Sequence, residues 1–230
     1  MFSKLDANSG FHQCNLADDS KKLTTFLTPF GRFCFNRLPF GITSAPEFFQ
    51  AQMNRILEDC PNTTCHMDDI LVWGESVEEH DRHLNKVLSK LQEANLTLNE
   101  EKCEFRKKSI KYLGFVVSYD SIEPDKEGVE AILQMPEPKN RTELQSFLGS
   151  VNFLSRHIPN RSHTLEPLHA LLRKDCSFFL SPAEQEAFKK TKKKLTAARA
   201  SFSDLRSKTS NHSIYRCFIL WYWRCPPSER

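Results

Sequence analysis

The chain has 230 residues, 39% hydrophobic and 27% charged, with only 7 Gly and 12 Pro; this is the composition of an ordinary folded protein and excludes collagen-like and low-complexity polymers. Its longest apolar runs, such as Ile70-Leu71-Val72-Trp73, are strand-sized, which excludes a membrane-spanning helix of ~20 residues. A net charge of +3 is too small to argue for nucleic acid by itself, so partners must be inferred from sites.

In chain order, Phe2-Ser3-Lys4-Leu5-Asp6 reads as a short strand ending in a carboxylate, and Asn8-Ser9-Gly10 is a turn that can start a helix. The Thr- and Phe-rich stretch from Leu23 to Phe35, with Pro29-Phe30-Gly31 at its middle, predicts two short strands around a turn. Thr43-Ser44-Ala45-Pro46-Glu47 is a helix start with Ser or Thr as the cap, and Phe48, Phe49, Met53, Ile56 and Leu57 at helical spacing predict a helix over about 45–58. Cys65-His66-Met67 and Ile70-Leu71-Val72-Trp73 flank Asp68-Asp69, which predicts a hairpin with two acids at its junction. Leu84, Val87, Leu88, Leu91 and Ala94 share one face of an amphipathic helix between Val77 and Asn95. Lys111 to Val117 is strand-like. After Pro124 short helical patterns are broken at Pro136, Pro138, Pro159 and Pro167, which places a boundary near 119. Lys189, Lys190, Lys192, Lys193, Lys194 and Arg199 form a basic run on a helix beginning near Ser181-Pro182, read first as a solvated face, with phosphate contact the alternative. The eight cysteines lie without a CxxC pair and read as reduced, mostly buried thiols, and Met1-Phe2-Ser3-Lys4 does not open a signal peptide.

Acids at two strand ends suit phosphoryl transfer, which uses two divalent cations roughly 3.5–4 Å apart, held by carboxylates that reach both. Asp6 supplies one end and Asp68-Asp69 the other, because adjacent residues in a hairpin turn can both reach a neighbouring strand end. An Asp-Asp pair in a turn is by itself more often turn chemistry, and spacing leaves both readings open.

Motifs in order along the chain add to this. Phe2 to Asp6 with Ser9-Gly10-Phe11-His12-Gln13 resembles the first catalytic motif of Ty3/gypsy-type retrotransposon reverse transcriptases. Leu38-Pro39-Phe40-Gly41-Ile42-Thr43-Ser44-Ala45-Pro46 with Phe49-Gln50 resembles the second palm motif, and Met67-Asp68-Asp69-Ile70-Leu71-Val72 the metal-binding hairpin. Leu98 to Phe105 and Tyr112-Leu113-Gly114-Phe115 resemble the last two palm motifs, and Phe147-Leu148-Gly149, Asn152-Phe153 and Ile158-Pro159-Asn160 continue the likeness into the thumb and connection, so that it covers residues 1 to about 199.

The resemblance implies an α+β fold: a polymerase palm with partial fingers over 1–118, its small antiparallel sheet backed by helices, then a helical thumb and connection over 119–200. It implies RNA-directed DNA polymerase activity, with Asp6 and Asp68 binding Mg²⁺ (Mn²⁺ the alternative), Asp69 assisting, and an RNA or DNA template-primer and deoxynucleoside triphosphates as partners. Phe11 matches the aromatic gate against a ribose 2′-hydroxyl, with a core Phe as the bland alternative. Phe40 and Gly41 match the floor under the incoming nucleotide, core packing being a fair rival for Phe40. Lys102 matches a lysine that could protonate pyrophosphate, against the reading of a plain surface charge. Tyr112, Leu113 and Gly114 match the primer grip, and thumb lysines and arginines would contact phosphates without reading sequence. For location the resemblance leaves an intracellular particle or the nucleus.

Departures from the pattern set further expectations. His66 stands where the family usually has Tyr, Leu180 where it tends to have Trp, and Ser121 where it usually has Gly. The chain begins almost at the first catalytic Asp, so the upstream fingers strands are expected to be missing and nucleotide affinity to suffer. From about Ala200 the likeness stops, and Tyr215 to Glu229 can be back-translated so that the frame one base later resembles the opening of a ribonuclease H domain. A frame change near Ala198 to Ala200 predicts a disordered tail over 201–230 without ribonuclease H activity. A second functional reading, a non-catalytic nucleic-acid-binding remnant or pseudogene product, rests on the missing fingers and the altered tail.

Overall fold

In the computed structural model the first strand, β1 (Phe2–Asp6), shows why the sequence alternates as it does: Ser3 and Leu5 are buried, whereas Lys4 and Asp6 on the other face are only half-buried. The structure describes residues 1–154, 161–173 and 178–201; the motif at Ile158-Pro159-Asn160, the expected break at Pro159 and the tail from 202 onward lie outside the described residues.

After β1 come α1 (Gly10–Gln13), α2 (Asp18–Leu23), the ribbon of β2 (Phe26–Thr28) and β3 (Gly31–Phe33), α3 (Ala45–Ile56), β4 (Thr63–His66), β5 (Asp69–Trp73), α4 (Val77–Glu93), β6 (Glu104–Lys107) and β7 (Ser109–Tyr112). A four-stranded sheet runs in the order β4-β5-β1-β6, with β1 and β5 antiparallel and Leu5 opposite Ile70. Leu5, Ile70 and Val72 meet Phe49 and Met53 of α3 and Leu84, Val87 and Leu91 of α4 in one core. Each such side chain contributes about 1.5–3 kcal/mol by leaving water. The Ser76 hydroxyl caps α4 by accepting the Glu79 N–H at 3.1 Å. Ser44 makes no such bond at the start of α3, where Pro46 in the first turn is the working signal.

The buried face of β1 also carries polar groups. Ser3 Oγ is 2.9 Å from His80 Nε2 and accepts the Arg106 N–H at 3.1 Å. His80 Nδ1 is 3.0 Å from Asp81 Oδ1, and the Arg106 guanidinium grips both Asp81 oxygens at 3.0 and 2.7 Å. These contacts tie β1, α4 and β6 together, and Ser3 and His80 are both fully buried.

These elements form one unit, Met1–Tyr112 among the described residues, and residues 113–201 form a second. The second holds the hairpin of β8 (Phe115–Ser118) and β9 (Ile122–Pro124), then α5 (Lys126–Gln134), α6 (Arg141–Phe153), α7 (Arg161–Ala170) and α8 (Pro182–Ser201). The two units divide after Tyr112, and β8 pairs with β9, Phe115 lying opposite Pro124. Ser121 fits its turn, its hydroxyl donating to Glu123 at 3.0 Å. Leu144, Phe147, Leu148 and Val151 of α6 pack with Ile132, Leu168 and Phe188. Asn140 and Glu143 form a reciprocal cap at the start of α6.

Four expectations need correction. The strand-like stretch Lys111 to Val117 is interrupted after Tyr112, because Leu113 and Gly114 adopt φ of 49° and 78°. Pro167 does not break a helix but lies inside α7. In the basic run, Lys192 donates to the Leu133 carbonyl at 2.9 Å and to that of Met135, at the end of α5, while Lys194 donates to Thr164 and Lys189 pairs with Glu137. Lys192 and Lys194 are thus tied into the unit, while Lys189, Lys190 and Lys193 stay exposed, so only part of the run is a solvated face. Of the five described cysteines, all free thiols, only Cys60 is buried; Cys14, Cys65 and Cys103 are half-buried and Cys34 is exposed.

Candidate active site

Asp6 ends β1 and Asp69 begins β5, directly opposite each other in the antiparallel register. Such partners carry Cβ atoms about 4.5–5.5 Å apart. Since Leu5 and Ile70 face the helices, alternation sends both acids to the other face. Asp68 sits in the β4–β5 turn behind Met67, whose φ of 51° makes the reversal, and its carbonyl accepts the Ala7 N–H at 2.8 Å. The sequence-predicted acids are therefore brought to one end of the β1–β5 ladder.

Two glutamines hold this end in place. Gln50 of α3 donates to the Cys65 carbonyl at 3.0 Å and accepts the Met67 N–H at 2.7 Å. Gln13 of α1 donates to the carbonyls of Asn8 and Thr97 at 2.6 and 3.0 Å and accepts the Thr97 N–H at 2.7 Å, while the Asp6 carbonyl accepts the Asn99 N–H at 2.8 Å. Both glutamines stand inside motifs quoted above, but sequence reasoning assigned them no role: an amide clamp depends on backbone brought from 15 and 84 residues away. Gly10 is equally specific. A Cβ there would lie 2.1 Å from Asp68 Oδ1 and 2.5 Å from the Phe49 ring, so only hydrogen fits between them.

Electrostatics mark the same spot. Burial, then Asp6 and Asp69, push the Asp68 carboxyl above the usual carboxylate range, with the Gly10 backbone amide and Lys102 pulling the other way. Its Oδ1 is buried and is the only such side-chain atom among the described residues without a hydrogen-bond partner. The Cys65 thiol is pushed up to about 12 by burial and then by Asp68 and Asp69. Burial, then Cys65 and Asp69, also raise Tyr112 well above its ordinary value, and its hydroxyl donates to the Asp69 carbonyl at 3.3 Å. Burial draws His66 down, opposed by Asp69.

Two lysines approach the acids. Lys4 Nζ is 3.0 Å from Asp69 Oδ1, and Lys102 Nζ is 3.7 Å from Asp6 Oδ1, on a side chain 65% exposed. The single 3-10 turn Glu100–Lys102 thus sets Lys102 near an acid, as an exposed neighbour. As they stand, no three His, Cys, Asp or Glu side chains among the described residues are gathered closely enough to hold a metal ion. The donor chemistry nevertheless suits a hard divalent cation: carboxylates only, coupled in charge, one with a buried oxygen lacking a partner.

The other predicted residues divide into two groups. Phe11 is half-buried, its ring 5.4 Å from both Phe40 and Phe49, so one side joins the core and the other faces Phe40. Phe40 is 67% exposed, which removes core packing as its role, and Gly41 beside it has φ 92°. Tyr112 is buried in the first unit. Leu113 and Gly114 open the second, where a Cβ on Gly114 would lie 2.9 Å from the Phe153 ring.

The family model described as reverse transcriptase (RNA-dependent DNA polymerase) matches residues 1–117. The Transposon Tf2-3 polyprotein of Schizosaccharomyces pombe is 38% identical over 199 residues, 86% of this chain and 15% of that protein; the Tf2-7 polyprotein of the same organism is 37% identical over the same shares. The chain thus spans only 15% of the length of these curated relatives. Among solved structures, the foamy viral protease-reverse transcriptase in complex with RNA/DNA hybrid is similar at a TM-score of 0.77 and 26% identity, covering 85% of this chain and 27% of that one. The dRH form of that protein with double-stranded DNA gives 0.78 and 26%, covering 86% and 35%.

Proposed function

Because this chain belongs to the reverse transcriptase (RNA-dependent DNA polymerase) family, we propose that it carries the palm chemistry of a retrotransposon polymerase: nucleotidyl transfer from a deoxynucleoside triphosphate to a primer 3′-hydroxyl on an RNA or DNA template. The observation that carries this reading is the placement of Asp6 opposite Asp69, with Asp68 beside them bearing a buried, unpartnered oxygen.

Asp6 and Asp68, assisted by Asp69, would hold Mg²⁺ or Mn²⁺. When bound, such cations supply charge that favours the ionised 3′-hydroxyl and stabilises the leaving pyrophosphate. The chain's own groups do the positioning. Phe11 would exclude a ribose 2′-hydroxyl, supported from behind by Phe49, and exposed Phe40 with Gly41 would floor the nucleotide. Lys102, exposed and beside Asp6, would hold a proton for pyrophosphate. Tyr112, Leu113 and Gly114 would support the primer backbone, within a palm over 1–118 and a thumb and connection over 119–200. The solved foamy viral relatives are complexes with RNA/DNA hybrid and double-stranded DNA, which favours a duplex template-primer here.

Primer extension on an RNA template with Mg²⁺ or Mn²⁺, with Asp68→Asn as control, tests the reading. Extension by the wild type and none by the variant supports it. Salt-sensitive duplex binding without extension would replace it with a nucleic-acid-binding remnant, and neither activity would leave no function at this site.

A further inference from the structure

Lys4 belongs to no functional set described above, yet it is the better-sheltered of the two lysines at the acids: it and Asp69 are 22% and 26% exposed in side chain, at 3.0 Å. Its position follows from the strand. Lys4 and Asp6 share a face of β1, and Asp6 lies opposite Asp69, so Lys4 is Asp69's diagonal neighbour. Strand β1 pairs with β5 on one edge and β6 on the other; a lysine in its middle is delivered to Asp69 by fixed backbone. The acids are not gathered into a metal-ready group, although two of them are strand partners, and Asp69 and Asp6 each have a lysine within 4 Å.

We propose that Lys4 is a built-in counter-ion that competes with a divalent cation for Asp69. In the cation-free protein its ammonium occupies the Asp69 carboxylate and offsets the repulsion among Asp6, Asp68 and Asp69. A cation that takes the same oxygen must displace it. Lys4 thereby stabilises the empty site at the expense of cation affinity. This rests on the reading of the three acids as cation ligands.

The test uses the full chain and Mn²⁺ as the probe, with binding followed by the electron paramagnetic resonance signal of free Mn²⁺ and stability by thermal unfolding with and without the ion. Lys4→Met and Lys4→Gln should bind Mn²⁺ about five- to tenfold more tightly than wild type, as expected for removal of a partly sheltered competing charge. Both should unfold at lower temperature without Mn²⁺ and gain more from it. Lys4→Arg should follow the wild type in both measurements. A purely structural lysine would lower the unfolding temperature without tightening binding; that result in whichever neutral variant folds, or affinities within twofold of wild type, overturns the proposal. Asp68→Asn separates the two readings: if it binds Mn²⁺ as the wild type does, the acids are not the ligands and both fail. If it loses binding while the Lys4 variants match wild type, only the role of Lys4 fails.

Discussion

Ser3 and Asp6 stand three residues apart on β1, and each anchors a polar cluster, but the clusters are of opposite kinds. Around Ser3 the bonds close into a ring: Arg106 N–H to Ser3 Oγ, Ser3 O–H to His80 Nε2, His80 Nδ1–H to Asp81, and Asp81 back to the Arg106 guanidinium. Ser, His and Asp in that order can perform acyl transfer when they open on a cleft; here Ser3 and His80 are sealed and each group is matched, so the ring is structure. Around Asp6 the same strand ends in like charges, a carboxylate oxygen without a partner and borrowed lysines. A satisfied buried network rigidifies, whereas an unsatisfied one calls for an outside ligand. Satisfaction, more than residue type, separates framework from site.

The largest effect should come from the open cluster. Asp68→Asn should lower primer extension by about 10²–10³-fold or more, as loss of a preorganised charge at a reaction centre does, yet raise the unfolding temperature of the cation-free protein at pH 8. The sign follows from linkage: Asp68 takes up a proton more readily in the folded than in the unfolded chain. Its ionised form therefore costs stability above the raised folded pKa, and that cost is relieved as pH falls through it. Thermal melts from pH 8 to pH 4 should show the variant's advantage shrinking on acidification; a constant gap would remove the electrostatic explanation.

His80→Ala should be the next largest, a loss of about 2–4 kcal/mol in urea unfolding from a cavity and two orphaned partners. Should extension fall tenfold in the folded variant while stability is unchanged, the closed ring would be more than framework and the contrast would break. Gly10→Ala drives a methyl into Asp68 and Phe49 and should cost about 1–3 kcal/mol by denaturant titration, together with extension. The smallest effect lies in the second unit: Lys192→Met removes the ammonium from the end of α5 and should cost about 1 kcal/mol, seen as a lower unfolding midpoint.

Elements with a strong local pattern were legible in the sequence. The alternation of β1, the apolar stripe of α4 and the acid-bearing hairpin all lie where their residues predict. Features set by distant partners were not. The break at Leu113 and Gly114 is a φ choice inside an apolar run, and the lysines of α8 look free until α5 is placed beside them. At the site, the acids and Lys102 could be named from motifs, but Gln13, Gln50 and Lys4 act through backbone or charge that only folding brings near.

The position of β1 between β5 and β6 has a kinetic side. Amides bonded within a central strand exchange with solvent only through the rarer, larger openings of a protein, whereas edges and turns exchange through local fraying. Asp6 ends that strand, while Asp68 sits in a hairpin turn tied by Gln50 and by the Ala7 amide; slower amide exchange at Leu5 than at Met67 would be the sign that the two carboxylates ride on backbone of unequal stability.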